Sequence, residues 1–387
     1  MATEVFLVFL RLGLSSFGGP VAHVGYFHEA FVRRRRWLRE EEFAQLLAAA
    51  QMLPGPASSQ LGFAIGLVRA GWRGGLAAFA GFTLPSALLM FALAAWAPGL
   101  MAQPALVHGL KLVAVVVVAH ALAGMARSLA PDGRRRCIAV LALAGVLLTG
   151  GAWAQVAVIA GGAAAGWLFC RNGPAPLLAS LEPRYRGGLA WPLLSLFVLG
   201  LVASQWPDAG EPSPARLAAA FYGAGSLVFG GGHVVLPLLE ASVVEPGWLS
   251  QERFLAGYGA AQAVPGPMFT LSAYLGALVP TGAPAWANAG IALAAIFLPG
   301  LLLMAAVLPW WSRAGRCIGV AAAVAGINAA VVGLLAAAFV DPVLSEGVRG
   351  WSDAALVLAG LGVLQARLNP LWVVFGMLAV SAAMAAV

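Results

Sequence analysis

Gln51-Met52-Leu53-Pro54-Gly55-Pro56 and Gln262-Ala263-Val264-Pro265-Gly266-Pro267 decide how this chain is read. The second copy lies 211 positions after the first, from 54 to 265, and Phe43 with Phe254 and Trp37-Leu38 with Trp248-Leu249 keep that interval. Upstream, Phe17-Gly18-Gly19 recurs as Phe229-Gly230-Gly231; downstream, Leu84-Pro85 recurs as Leu298-Pro299 and Gly109-Leu110-Lys111 as Gly326-Ile327-Asn328. The chain is therefore two copies of one unit. Each copy carries apolar segments broken by Gly and Pro at corresponding places, the pattern expected of a transporter whose site lies between repeats.

Composition supplies the setting. Hydrophobic residues make up 61% of the 387 and charged residues 10%, too few charges to cover a water-soluble surface of that size. Apolar runs near Gly75–Ala97, Ala105–Gly124, Ala152–Phe169, Ala285–Leu308 and Gly319–Val340 reach the about 17–25 residues that cross a bilayer. Alternation of strand type is absent, so helices must satisfy the backbone inside lipid. The expected fold is all-α, a polytopic integral membrane protein with broken or re-entrant helices. The net charge of +7 does not indicate nucleic acid, because 21 of the 22 basic residues are Arg and most sit between apolar runs. Cys137, Cys170 and Cys317 have no metal-ligand spacing, and no Walker A pattern or nucleophile–base constellation is present. The pattern indicates no cofactor, no metal and no enzyme chemistry.

Arg positions predict sidedness. The segments Arg33–Arg39, Arg69–Arg73, Arg127–Arg136 and Arg171–Arg186 are basic, whereas Pro98–Pro104 and Gly150–Gly151 carry no Arg or Lys. In the second copy the bias reverses: Pro280–Pro284 is uncharged and Trp311–Arg316 carries two Arg. Basic loops stay in the cytoplasm, so equivalent loops on opposite sides predict an inverted-topology repeat. We read residues 1–170 as the first repeat, 171–212 as a linker with an unpaired transmembrane helix near Leu189–Ser204, and 213–387 as the second, inverted repeat. With Arg33–Arg39 and Arg69–Arg73 both cytoplasmic, Phe43–Ala70 must enter and return, as a helical hairpin broken at Pro54-Gly55-Pro56.

Broken helices point to the site. A helix that restarts inside protein presents unpaired N–H groups and a positive dipole end, which favour an anion. Ser58, Ser59 and Gln60 follow the first break and Thr270 follows the second; Ser and Thr hydroxyls donate to oxyanions. Gly18, Gly19, Gly230 and Gly231 let backbone approach a ligand closely. Lys111, the chain's only lysine, and its repeat mate Asn328 offer a cation and an amide, with Lys111 readable equally as an interfacial cation with a buried stem. Arg11, His23 and His233 are candidates for a charge or proton role, against the simpler reading as packing residues. Buried carboxylates are few, which disfavours cation export.

Phe17-Gly18-Gly19-Pro20 with Ala22-His23 and Gly25-Tyr26-Phe27, Arg35-Arg36-Trp37-Leu38, Gln51 through Pro56 with Ser58-Ser59-Gln60, and Gly81-Phe82-Thr83-Leu84-Pro85-Ser86 carry a family likeness. So do Phe229-Gly230-Gly231-Gly232, Gln262 through Pro267, and Gly326 with Asn328. Together they resemble the chromate ion transporter family in its long-chain, two-domain form, over nearly the whole chain. The resemblance implies a multi-pass protein of the cell inner membrane that exports chromate, with sulfate as the structural analogue; a homodimer is compatible with it. An anion channel, or a non-transporting scaffold or enzyme subunit, are the competing functions.

Overall fold

The structure, a computed structural model, describes residues 1–16, 19–96, 104–149, 151–171, 187–205, 211–229, 235–311, 318–366 and 370–385. Among them it is all-helical. The first seven helices are α1 (Ala2–Ser15), α2 (Gly19–His28), α3 (Glu40–Met52), α4 (Ala57–Trp96), α5 (Pro104–Leu129), α6 (Gly133–Thr149) and α7 (Gly151–Phe169). Then follow α8 (Ala190–Ser204), α9 (Pro214–Leu227), α10 (Val235–Val243), α11 (Gln251–Ala263), α12 (Leu271–Leu278), α13 (Ala285–Val307), α14 (Ile318–Ala338), α15 (Trp351–Gln365) and α16 (Pro370–Ala385). Four described helical stretches, Ala57–Trp96, Pro104–Arg127, Ala285–Trp310 and Ala321–Asp341, are long and apolar enough to cross a membrane. Large apolar side chains such as Leu88, Leu141, Leu199 and Phe375 are exposed, as a lipid-facing surface requires. The exposed tryptophans Trp96, Trp191, Trp286, Trp351 and Trp372 all lie at or beside helix ends, where an amphipathic ring suits the headgroup level.

The repeat survives in the packing. In the first half Gly13 of α1 lies so close to α4 that a Cβ there would meet the Phe82 carbonyl oxygen at 2.7 Å; its mate Gly225 of α9 is pressed in the same way on the Ile296 carbonyl of α13. Gly66 faces Ala78 across the two arms of α4, and Gly276 of α12 faces Ala292 of α13. His28 binds Glu40 at 2.7 Å, and the mates of those residues, Glu240 and Gln251, bind at 3.1 Å. The same contact is thus kept with different chemistry. α8 has no counterpart.

The first hairpin is α3, the turn 53–56, and the first arm of α4. Glu40, Glu41 and Glu42 occupy the first turn of α3, where carboxylates oppose the dipole, and Glu42 accepts the Arg39 backbone N–H at 2.8 Å. Pro54 and Pro56 then forbid continuation. The return point differs from a loop. Two helical arms within 57–96 meet directly at Ala70 (φ −145°) and Gly71 (φ +62°): Gly71 turns the backbone without Cβ strain, and Gly74 and Gly75 let the arms lie against each other. In the second copy the equivalent step is an open stretch, 279–284, between α12 and α13. Both basic segments of the first hairpin meet at one end: Arg35 and Arg69 approach the Glu4 carboxylate at 3.8 and 3.9 Å and both cover the Trp37 ring.

The core of the first unit is aromatic. Phe9, Phe27, Phe31 and Phe82 are fully buried and their rings pack edge-on or offset at 4.9–6.4 Å, geometry that adds about 0.5–1.5 kcal/mol per pair to burial. The last three helices of each unit exchange partners. α5 packs on α15 and α16 of the second unit, while α14 packs on α6 and α7 of the first. Gly326 lies against Gly162 and Gly166, small residues that let helix backbones touch in a membrane.

Candidate functional site at the two proline-flanked turns

The two turns are each seated on the other unit. Gly55 donates its N–H to the Val228 carbonyl oxygen at 2.7 Å, and Gly266 donates to the Ser16 carbonyl at 2.9 Å. Val228 and Ser16 are repeat mates, each closing the helix that precedes a Phe-Gly-Gly break. Gly55 has φ +124° and Gly266 φ +104°, conformations that L residues with a Cβ resist. A Cβ on Gly55 would meet the Gly300 Cα at 2.8 Å; one on Gly266 would meet the Ser86 Oγ at 2.7 Å. Ser86 and Gly300 are again mates, one residue after Pro85 and Pro299. The amides of both central glycines are therefore occupied by the opposite unit, and anion contacts fall to the hydroxyls and amides of the following turn.

On the first seat, Ser58, Ser59 and Gln60 are buried in the opening turn of α4. Gln60 Nε2 donates to the Pro54 carbonyl at 2.9 Å and to the Gly300 carbonyl at 3.1 Å, tying the break to α13. Gln60 Oε1 and Ser59 Oγ are buried without a hydrogen-bond partner among the described residues. A buried polar atom without a partner is costly; the Ser59 hydroxyl can donate to an anionic ligand, whereas Gln60 Oε1 can only accept and is no anion contact. On the second seat Thr270, the mate of Ser59, donates to the Pro267 carbonyl at 2.8 Å. Beside it Ser16 Oγ, Thr83 Oγ1 and His23 Nδ1 are buried without partners among the described residues, His23 Nε2 lies 3.3 Å from the Ser16 carbonyl, and its ring meets Phe82 edge-on at 5.1 Å.

The remaining sequence candidates are placed as follows. Pro54, Pro56, Pro265 and Pro267 frame the two turns. Gly19 opens α2. Gly18, Gly230, Gly231 and His233 lie outside the described residues. Lys111 is buried in α5, 3% exposed, with its backbone beside Gly347. Asn328 of α14 keeps a buried Oδ1 without a partner. Arg11 is on the exposed face of α1 and is not brought to either seat. Ser16, Thr83, Ser86 and Gly300 were not singled out from sequence as site residues. The signal that reaches three of them is the Leu-Pro pair repeated at 84–85 and 298–299. Two described cavities, of about 910 Å³ between α8, α9 and α10 and about 640 Å³ between α5, α11 and α12, lie away from the seats. No cluster of three or more metal-ligating side chains occurs among the described residues.

Comparison with known proteins gives the class. A family model described as chromate transporter matches residues 3–167 and again 215–383. A probable chromate transport protein of Synechococcus elongatus is 30% identical over 91% of this chain and 86% of the relative. The chromate transport proteins of Cupriavidus metallidurans and Pseudomonas aeruginosa are 29% and 28% identical, over 87% and 97% of this chain and 81% and 90% of their own. No solved structure matches. With a family match in each half and relatives similar along most of its length, this chain belongs to the chromate transporter family.

Proposed function

We propose that this chain exports chromate from the cytoplasm across the cell inner membrane, with sulfate as the competing tetrahedral dianion. In this reading residues 1–170 and 213–387 are two domains of opposite membrane orientation, 171–212 links them, and the Arg-rich loops face the cytoplasm. The observation that carries it is the pair of reciprocal seats, with Ser59 Oγ, Ser16 Oγ and Thr83 Oγ1 buried beside them and without partners among the described residues. Ser59 lies in the first turn of α4, and a neutral donor at a helix start suits a dianion that must bind and then leave; Ser16 and Thr83 add hydroxyl donors away from a helix start. Arg35 and Arg69, gathered on Trp37 at one end, would raise the local anion concentration there. A dianion leaving a negative interior gains about 4.6 kcal/mol at 100 mV, twice the single-charge value, so no nucleotide is needed.

The test is chromate uptake into inverted proteoliposomes under an imposed potential. Uptake should follow the potential, sulfate should compete, and Ser59→Ala should lower the flux roughly ten- to a hundredfold, the loss of one hydrogen bond to an anion. Uptake that ignores the potential and follows a pH gradient would overturn the driving force. Flux far above carrier turnover would favour a channel, and unchanged flux in Ser59→Ala would remove that side chain from the site.

A further inference from the structure

The two units are equivalent in sequence but not in conformation. α5 lies on α11: Val107 and Leu110 form a buried cluster with Ala256 and Ala260, and a Cβ on Gly259 would collide with the Leu110 carbonyl. The mates of α5 and α11 are α14 and α3, and α14 makes no comparable packing on α3 among the described residues. Exposure follows. On the long helix the seam residues Val107 and Leu110 are 4% and 3% exposed, whereas their mates Val324 and Ile327 of α14 are half-buried; the α3 mates of Ala256 and Ala260, Gln45 and Ala49, are buried within the first unit instead. Gln262 is half-buried and its mate Gln51 exposed.

Two unpaired polar atoms mark the unpacked side. Gln45 of α3 is the mate of Ala256, and Asn328 of α14 lies one turn beyond Val324, the mate of Val107. Gln45 Oε1 and Asn328 Oδ1 are both buried without a partner among the described residues, a cost that a closer partner would relieve. If α14 were packed on α3 as α5 is packed on α11, these two amides would come within one turn of each other. Each amide nitrogen could then donate to the other's oxygen.

Resting on the transport reading above, we propose that the α5–α11 seam is the closed gate of one end state, and that Ala48, Ala49 and Gln45 of α3 with Ile327 and Asn328 of α14 form the gate of the opposite state. Transport exchanges the two seams. Closing α3 on α14 releases α11 from α5 and extends the 640 Å³ cavity lined by Val107, Ala256, Glu252 and Arg253 toward the seat of the second hairpin. Each hairpin has a positive-φ glycine where it returns to the long helix, Gly71 in the first and Gly282 in the second, a backbone position at which it can swing against that helix.

The test uses the full chain with Cys137, Cys170 and Cys317 replaced by Ser, reconstituted with chromate or sulfate. Two cysteine pairs are compared with a short bismaleimide: Leu110→Cys with Ala260→Cys, and Ala49→Cys with Ile327→Cys. Both pairs should bridge in transporting vesicles, either bridge should abolish flux, and the Ala49–Ile327 pair should bridge more when substrate is present. Gln45→Ala, which leaves both pairs intact, should shift bridging toward the Leu110–Ala260 pair. Bridging of Leu110–Ala260 alone during measured transport would overturn the proposal, as would flux that persists with Ala49–Ile327 bridged. Bridges that form and respond to sulfate in vesicles that do not move chromate would instead sink the substrate reading and leave the gate standing.

Discussion

Single residues carry the crossing of the two units. Gly266 combines φ +104° with a neighbour, Ser86 Oγ, 2.7 Å from where a Cβ would sit, whereas Gly282 has φ +83° and open space around it. Gly266→Ala should therefore cost both backbone strain, about 1–3 kcal/mol, and a displaced α4, while Gly282→Ala should cost the backbone part alone. Thermal melting of the purified protein in detergent should show a clearly larger loss for Gly266→Ala, and equal melting would mean that the seat gives way easily. The glycines themselves were legible from their proline neighbours and their repetition. Their hydrogen-bond partners were not: nothing local connects Gly55 to Val228 or Gly266 to Ser16. The sequence reading expected free amides at the breaks, whereas the two central ones are bonded across the units.

At the scale of elements, polar contacts help to hold the exchange of helices: Ser381 of α16 donates to the Ala105 carbonyl of α5 at 2.6 Å, and a side-chain pair joins α5 to α15. His108 of α5 meets Asp353 of α15 at 3.0 Å, and Asp353 also accepts the Arg349 backbone N–H at 2.9 Å. Each carboxylate oxygen serves one donor; an amide in its place keeps one acceptor and turns an N–H toward the other part-buried donor, which costs about 1–3 kcal/mol when left unpaired. Asp353→Asn should lower the melting temperature, His108→Gln should lower it less, and the double substitution should fall short of the sum. Additive losses would show that the two side chains stabilise the fold separately. Helix identity was legible from apolar length and from breakers: α5, α8, α13 and α14 stand where the runs placed them. The kink at Ala70-Gly71 was expected to be a connection, and remains helical on both sides because the two arms of α4 pack through Gly66, Gly74 and Ala78.

For the whole molecule, the reciprocal packing of α5 and α14 means that neither half contains its own complete set of helix contacts. Fragments cut between residues 172 and 186 should be unstable when made singly and should co-purify as a pair when made together. Changing Gly326 to Val should abolish that pairing, because its Cβ position lies 2.5 Å from the Gly166 Cα. A first half that folds and inserts alone, to a stable species, would contradict this. By itself the sequence determined that the chain is helical, apolar enough for lipid, doubled, and broken at matched places, because composition and the positions of Pro and Gly act locally and need no knowledge of neighbours. Only the tertiary structure decided that each broken turn rests on the opposite unit, that the last helices swap partners, and that, among the described residues, α5 is packed on α11 while α14 has no comparable packing on α3. Those choices depend on contacts between residues far apart in the chain, where two equal copies of one pattern permit two arrangements and packing selects one.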